Sequence, residues 1–496
     1  MSVCSFSFLL VCSVAVILFH LCPWKSLRRL FLTCINLAFL VTLVPNRQSW
    51  ICFAGFLLGT YLVLRFLKAR PSRDHLLGLV GFTVYVFIYL KRYEILGWVM
   101  PWEFSPDVVL SGVELVGLSY MLFKMIHMAV DQLDGQLAPY GLFSYLNYQL
   151  AFFTLLAGPI QRYNDFQESW EHMDGGASDA RDTLRFWNRI LTGMLQMGLV
   201  AALLWEVFEG ASKTMLSPNS MDFLQGMARH FYVYPLYLYF NFAGYTNIAI
   251  GSAGLFGFRV PENFNHPFIA RNMIDFWNRW HMSLSQWIRD YVFMTSYKAC
   301  AERFPRWSRP CAYFLLFLAL FIAGMWHGTT LAFAAVGVSF GIGVAGTQIY
   351  GDLLRARLGH AGFHRYMQNQ LIHTAAIVIT FHYVCFSILF MSSGVSDTLF
   401  MLHHGMELMG SPGQAISSLR FAWWPVGVAA ALGLLAIAWW KQNSLAAFVD
   451  WLKVRMPRTT NMLYAALFAK AVLTACVLLA YWALQQKDPV IVYIKF

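Results

Sequence analysis

A chain of 496 residues that is 58% hydrophobic and only 12% charged lies far from the roughly one-quarter charged composition of soluble domains, which excludes a soluble globular protein. The formal net charge of +11 would suit a nucleic-acid partner in a soluble chain. Here Lys and Arg sit in short connections between apolar stretches, where they set membrane orientation instead, and no nucleic-acid partner is expected.

From the N-terminus, apolar stretches run over Phe6 to Leu21, Leu30 to Val44, Ile51 to Leu64 and Leu76 to Leu90. At about 20 residues per crossing, the whole chain predicts an all-α polytopic membrane protein with about 11–13 membrane-embedded helices. Lys25, Arg28 and Arg29 follow the first stretch, Arg47 alone follows the second, and Arg65, Lys68, Arg70 and Arg73 follow the third. This alternation predicts an extracytoplasmic N-terminus. No Lys or Arg precedes Phe6, so the first stretch reads as a retained span and not as a cleaved signal.

Cysteines occur singly, and Cys12, Cys34, Cys52, Cys311, Cys385 and Cys476 fall inside apolar stretches with no CxxC pair. They read as small buried hydrophobes. The polar stretch Arg162 to Asp182 suits a surface loop or short interfacial helix. With Ser393 to Arg420 it is the largest polar candidate, yet neither reaches domain size, so one membrane body over 1–496 is expected. Between them, the aromatic run YVYPLYLYFNF precedes Gly244, Gly251, Gly254 and Gly257; small residues so spaced let membrane helices approach closely.

Asp275 to Phe293 carries Asp275, Arg279, Arg289 and Asp290 and cannot cheaply lie in hydrocarbon. As one helix it would be amphipathic, with Asp275, Arg279, Ser283, Gln286 and Asp290 on one face and Phe276, Trp280, Leu284, Trp287 and Tyr291 on the other. Such a helix lies in the interface or re-enters the protein. His281 falls at the edge of its aromatic face.

Pro310 to Gly351 holds no Asp, Glu, Lys or Arg and accommodates about two crossings. His327 is the one histidine within it, among Gly324, Gly328, Thr329 and Thr330, so it lies either deep in the membrane or near a hairpin turn. An ionisable group in a membrane segment marks function by default, and a neutral imidazole is what a general base needs; the bland reading is a His bonded to a neighbouring helix. His127, His373 and His382 also sit in apolar stretches and read as packing or hydrogen-bonding residues. No metal site is expected: HExxH is absent, and the one HxxxH, His360 to His364, encloses Gly362 in a polar connection. No GxSxG elbow, Walker loop or dinucleotide fingerprint is present.

The segments FWNRWHMSLSQWIRDYVF (276–293) and GMWHG (324–328) together resemble the membrane-bound O-acyltransferase (MBOAT) family. GLSYMLFKMIH (117–127), AGPIQRYNDF (157–166), FAGYTNIAIG with PENFNHPF (242–268) and the closing VIVYIKF resemble its bacterial branch of alginate O-acetyltransferases and teichoic acid D-alanyltransferases, best over about residues 110–395. MTSYKACAERF after the RDY motif is closer to the D-alanyl members.

The resemblance implies a catalytic role for His327 and a second signature role for His281. It also implies helices around a central tunnel, some of them re-entrant or interfacial, in the bacterial cytoplasmic (inner) membrane. The implied reaction moves a short acyl group, acetyl or D-alanyl, from an acyl-CoA or acyl carrier protein thioester to a hydroxyl of an envelope polysaccharide or an intermediate carrier. No tightly bound cofactor is implied; the partners are membrane lipid, the polysaccharide or carrier acceptor, an acyl carrier protein at the cytoplasmic face and an extracytoplasmic protein. Asn278, Arg279, Ser283, Trp326 and Arg162 are the candidate substrate-positioning residues. The competing classes are a transporter or flippase of an envelope lipid or glycan, and a non-catalytic membrane scaffold; labelled acyl transfer by the purified protein separates them.

Overall fold

The computed structural model describes residues 5–44, 47–91, 117–173, 180–216, 220–410, 468, 470–472 and 474–476. The described residues are 86% helical and include no strand. Six helices there are long and apolar enough to cross a membrane: Lys25–Leu43, Ser49–Ala69, Arg181–Thr214, Pro305–His327, Leu331–Gln368 and Gln370–Leu408. Ser7–Leu21 is a shorter apolar helix. The sequence expectations placed on 411–420 and on the closing VIVYIKF fall outside the described residues.

The chain forms two compact units, one from 1–199 with 241–263 and 466–496, the other from 200–240 with 264–465. In the first, α1 (Phe6–Leu21), α2 (Lys25–Leu43), α3 (Arg47–Ala69), α4 (Arg73–Lys91) and α5 (Leu118–Leu133) precede the short α6 (Leu142–Leu150) and α7 (Phe152–Leu155). The break between α6 and α7 exposes helix-end groups that water cannot reach, so polar side chains must satisfy them. Lys124, on α5 and 1% exposed, donates to the Tyr148 carbonyl at 2.8 Å and to Thr154 Oγ1 at 3.0 Å. From α2, Asn36 Oδ1 accepts the Phe152 amide at 3.0 Å. The polar stretch after Arg162 forms the short helix α8 (Tyr163–Glu171).

α9 (Ala180–Leu195) continues through a π-turn (Gln196–Ala201) into α10 (Ala202–Thr214), and α11 (Ser220–Leu255) follows. The small residues of α11 serve close packing: a side chain at Gly244 would come within 2.7 Å of the Gly193 carbonyl, and one at Gly251 within 2.8 Å of the Phe186 carbonyl.

In the second unit, α12 (Met273–Trp277), α13 (Met282–Ile288), a π-turn (Arg289–Phe293) and α14 (Met294–Arg303) lead to the long helices α15 (Ser308–His327), α16 (Leu331–Gln368) and α17 (Gln370–Gly410). The uncharged stretch 310–351 is thus a helical hairpin. Gly324 and Gly337 let its two arms touch, since a Cβ on Gly324 would lie 2.4 Å from Gly337 Cα. Two residues with positive φ, Gly359 and Gly394, kink α16 and α17.

Two sequence expectations are corrected. Residues 275–293 do not form one amphipathic helix. Asn272 caps α12 by accepting the Asp275 amide at 2.8 Å, and a bridge between Phe264 and Trp280, with Asn265 N–H donating to the Arg279 carbonyl at 2.9 Å, pulls 278–281 out of helical geometry. His281 therefore takes left-handed backbone angles, φ 43°, and the faces read at helical spacing do not carry across the break. The cysteines are also not all buried hydrophobes: the turn at 304–307 brings α14 back on α15, and Cys300 pairs with Cys311 in a disulfide with Cα atoms 6.8 Å apart. Cys34 and Cys476 are exposed, whereas Cys12 and Cys385 are buried as expected.

Candidate active site

His327 is the last residue of α15. The chain turns at once through Gly328, where a Cβ would lie 2.1 Å from the Phe333 ring, so only glycine fits beneath the histidine. Of the two placements left open by sequence, the structure gives the hairpin turn: His327 lies one helix length, about 30 Å, from the start of α15. Its ring is half-buried and packs on Trp326 with centroids 4.7 Å apart.

The break between α12 and α13 delivers His281 to the same place. Its side chain is fully buried, its ring centroid lies 6.4 Å from that of His327 and 6.3 Å from that of Trp326. Two imidazoles so spaced are beyond direct hydrogen-bond reach of about 3 Å, and the interval is about the width of one small group held between them. Burial, together with the repulsion that protonating both neighbouring rings would bring, holds the His281 pKa well below the ordinary histidine value. His281 is therefore a neutral imidazole, able to donate one N–H and accept at its other nitrogen.

A cavity of about 510 Å³ is lined by residues close in sequence to both histidines, though by neither histidine itself. Its inner wall includes Trp277, Asn278 and Met282, which flank His281 in sequence, and Ala323, one helical turn before His327. Most of the wall is apolar, from Leu316, Ala319, Leu320 and Val344 among others. The other end is polar, with Arg289, Arg309, Tyr313, Gln348 and Asp352. Tyr313 donates to Asp352 Oδ2 at 2.8 Å, fixing the carboxylate on α16 against the second turn of α15.

The structure thus brings together His327, His281, Trp326 and, through the cavity wall, Asn278. The other candidates have partners of their own. Arg279 is committed to Asp275, Nε to Oδ1 at 2.7 Å, and to the Asn265 carbonyl at 3.3 Å, which pins the loop before α13 and points its charge away from the cavity lining. Ser283 is 3% exposed and is not part of that lining. Arg162 belongs to the other unit, at the start of α8, where its charge acts on Asp165 and His127.

Of the other histidines in apolar stretches, His127 and His382 make side-chain hydrogen bonds. His127 Nε2 meets Tyr148 Oη and the Tyr163 amide, both at 3.2 Å, and His382 Nε2 meets Tyr232 Oη at 3.0 Å. Arg309 and Asp352 were missed by sequence reasoning, although a signal existed: they are the charges that bracket the uncharged stretch 310–351, and folding that stretch as a hairpin places both at one cavity mouth.

Comparison with known proteins identifies the family. Residues 2–389 match the family model of MBOAT, the membrane-bound O-acyltransferase family. The chain is 32% identical over 286 residues, 55% of this chain and 67% of the relative, to the teichoic acid D-alanyltransferase of Bacillus subtilis (strain 168). It is 29% identical over 294 residues, 58% of this chain and 71% of the relative, to the teichoic acid D-alanyltransferase of Streptococcus thermophilus. It is also 30% identical over 243 residues, 49% of this chain and 44% of the relative, to the protein named "Probable alginate O-acetylase AlgI" of Pseudomonas aeruginosa. A family match that runs over most of the sequence, 2–389, decides the matter: this chain belongs to the membrane-bound O-acyltransferase family and is an O-acyltransferase.

Proposed function

We propose that the protein moves a short acyl group, acetyl or D-alanyl, from an acyl-CoA or acyl carrier protein thioester to a hydroxyl of an envelope polysaccharide or an intermediate carrier. The observation that carries this reading is the pair His281 and His327, 6.4 Å apart, whose sequence neighbours Asn278, Met282 and Ala323 line a cavity that also holds Arg289 and Arg309. The cavity has the polarity of a thioester donor: cationic where phosphate enters and apolar where the acyl arm must reach without hydrolysing.

In the proposed step the donor carbonyl lies between the two rings. His327 accepts the proton of the acceptor hydroxyl as its oxygen attacks the carbonyl carbon, and this base catalysis contributes about 10² to 10⁴-fold. The N–H of the neutral His281 stabilises the oxyanion. Collapse expels the thiolate, which recovers the proton from His327, so the ester forms with no net charge. Asn278 and Trp326 position the donor and the His327 ring, while Arg162 and Ser283 act through packing of their own elements.

The basic end of the second unit, with Arg303, Arg306 and Arg309 around the start of α15, faces the cytoplasm in this reading, and the acceptor meets His327 from the other side of the inner membrane. The test is transfer of a labelled acetyl or D-alanyl group from a carrier thioester by the purified protein. Wild type should form an ester that alkaline hydroxylamine cleaves, and His327→Ala should form none while inserting normally. Substantial transfer by His327→Ala sinks the assignment.

A further inference from the structure

A second cavity, of about 650 Å³, lies between α16 and α17. It shares Ile274, Gln348 and Asp352 with the donor cavity, so these residues form a partition with one cavity on each side. No step of acyl transfer uses the second one.

Its two ends differ in chemistry. Along one end, Gly343 and Gly346 of α16 face Ala376 and Ile379 of α17. Ile342 and Ile379 on this rim are 57% and 69% exposed, and a Cβ at Gly346 would meet nothing within 4 Å. Exposed isoleucines on two membrane helices face hydrocarbon, so the slot opens sideways into lipid and not toward water.

The other end collects Arg271, Arg355, His373 and the phenols Tyr350 and Tyr366, whose oxygens are 2.9 Å apart. His373 Nε2 is buried there and takes no hydrogen bond from the described residues. The lining carries one carboxylate, Asp352, which already accepts from Tyr313 at 2.8 Å and lies 3.8 Å from Arg355. The nearby Asp275 is held by Arg279 at 2.7 Å and by the Arg271 amide at 3.0 Å. The polar end therefore keeps a surplus cation, at the depth where tyrosines mark the membrane interface.

An apolar slot open to the bilayer, closed at one end by cations, fits one class of ligand. We propose that this cavity binds an anionic glycerophospholipid of the surrounding membrane, its phosphate on Arg271 and Arg355 and an acyl chain against Gly343, Gly346 and Ile379. Because the partition is shared, the bound lipid buttresses the Gln348 and Asp352 side of the donor cavity.

The experiment reads lipid directly and needs no activity. The protein, equilibrated in vesicles of equal parts phosphatidylcholine and phosphatidylglycerol, is extracted in mild detergent and weighed by native mass spectrometry. Wild type and His327→Ala should each retain one phosphatidylglycerol in preference to phosphatidylcholine. Arg271→Gln and Arg355→Gln should each lower that preference about fivefold, and Gly346→Leu, which fills the slot and leaves the charges alone, should lower retention of both lipids. Equal retention of the two lipids by wild type, unchanged preference in the double Arg271→Gln/Arg355→Gln variant, or full displacement of the lipid by millimolar inorganic phosphate would overturn the proposal.

Discussion

His281 occupies a left-handed backbone position, φ 43°, that Asn tolerates far better than Ala. His281→Asn therefore separates chemistry from folding: it should insert and unfold like wild type near neutral pH yet transfer acyl groups about 10² to 10³-fold more slowly, the cost of one oxyanion donor. Near-normal transfer by this variant assigns His281 to packing alone. The same residue makes a prediction about stability. Its folded pKa lies well below the ordinary value of 6.5, so the unfolded chain binds a proton near pH 6.5 that the folded chain refuses. Its contribution is fully present above that pH and falls as pH drops below it, by at most about 1.4 kcal/mol per pH unit. Thermal unfolding in detergent at pH 7.5 and 5.5 should show a smaller acid loss for His281→Asn than for wild type; identical losses would mean that the buried ring is not what the acid titrates.

At the scale of elements, the hairpin of α15 and α16 depends on backbone contact at Gly324 and Gly337, 2.4 Å from a hypothetical Cβ. Gly324→Ala should cost about 1 to 3 kcal/mol through overpacking and lower activity by moving His327. Gly210→Ala, where a Cβ meets nothing within 4 Å, should leave the melting temperature equal or slightly raised; equal melting of both variants would deny the close approach. The hairpin was legible in the sequence because the absence of charge over 310–351 is a direct record of hydrocarbon burial, and His327 stood out against it. The α12 to α13 break was not legible, because helical periodicity assumes that nothing distant competes for the backbone. Asn265 and Phe264 do compete, through the Arg279 carbonyl and Trp280. The disulfide of Cys300 with Cys311 was hidden for a related reason: each cysteine reads alone until the turn at 304–307 places them side by side.

At the scale of the whole molecule, the proposed transfer brings donor and acceptor from opposite faces of the membrane, and the second unit has the polarity such a reaction requires. Tyr313 on α15 meets Asp352 on α16 at 2.8 Å, so the basic residues at the start of α15 and beyond residue 352 of α16 share one side. His327 and the turn through Thr330 end the hairpin about 30 Å away, one hydrocarbon thickness. The proposed orientation, which follows the charge bias, has the basic side in the cytoplasm. A single cysteine placed at Arg306 or Thr330, both exposed, in a background with the native cysteines replaced by serine or alanine, tests this with an impermeant maleimide on intact cells. Thr330→Cys should label from outside and Arg306→Cys only after the cells are opened. The reverse pattern would put the cationic cavity mouth on the wrong side for a cytoplasmic thioester, and with Thr330→Cys labelled only from within, His327 would have no route to an acceptor beyond the membrane.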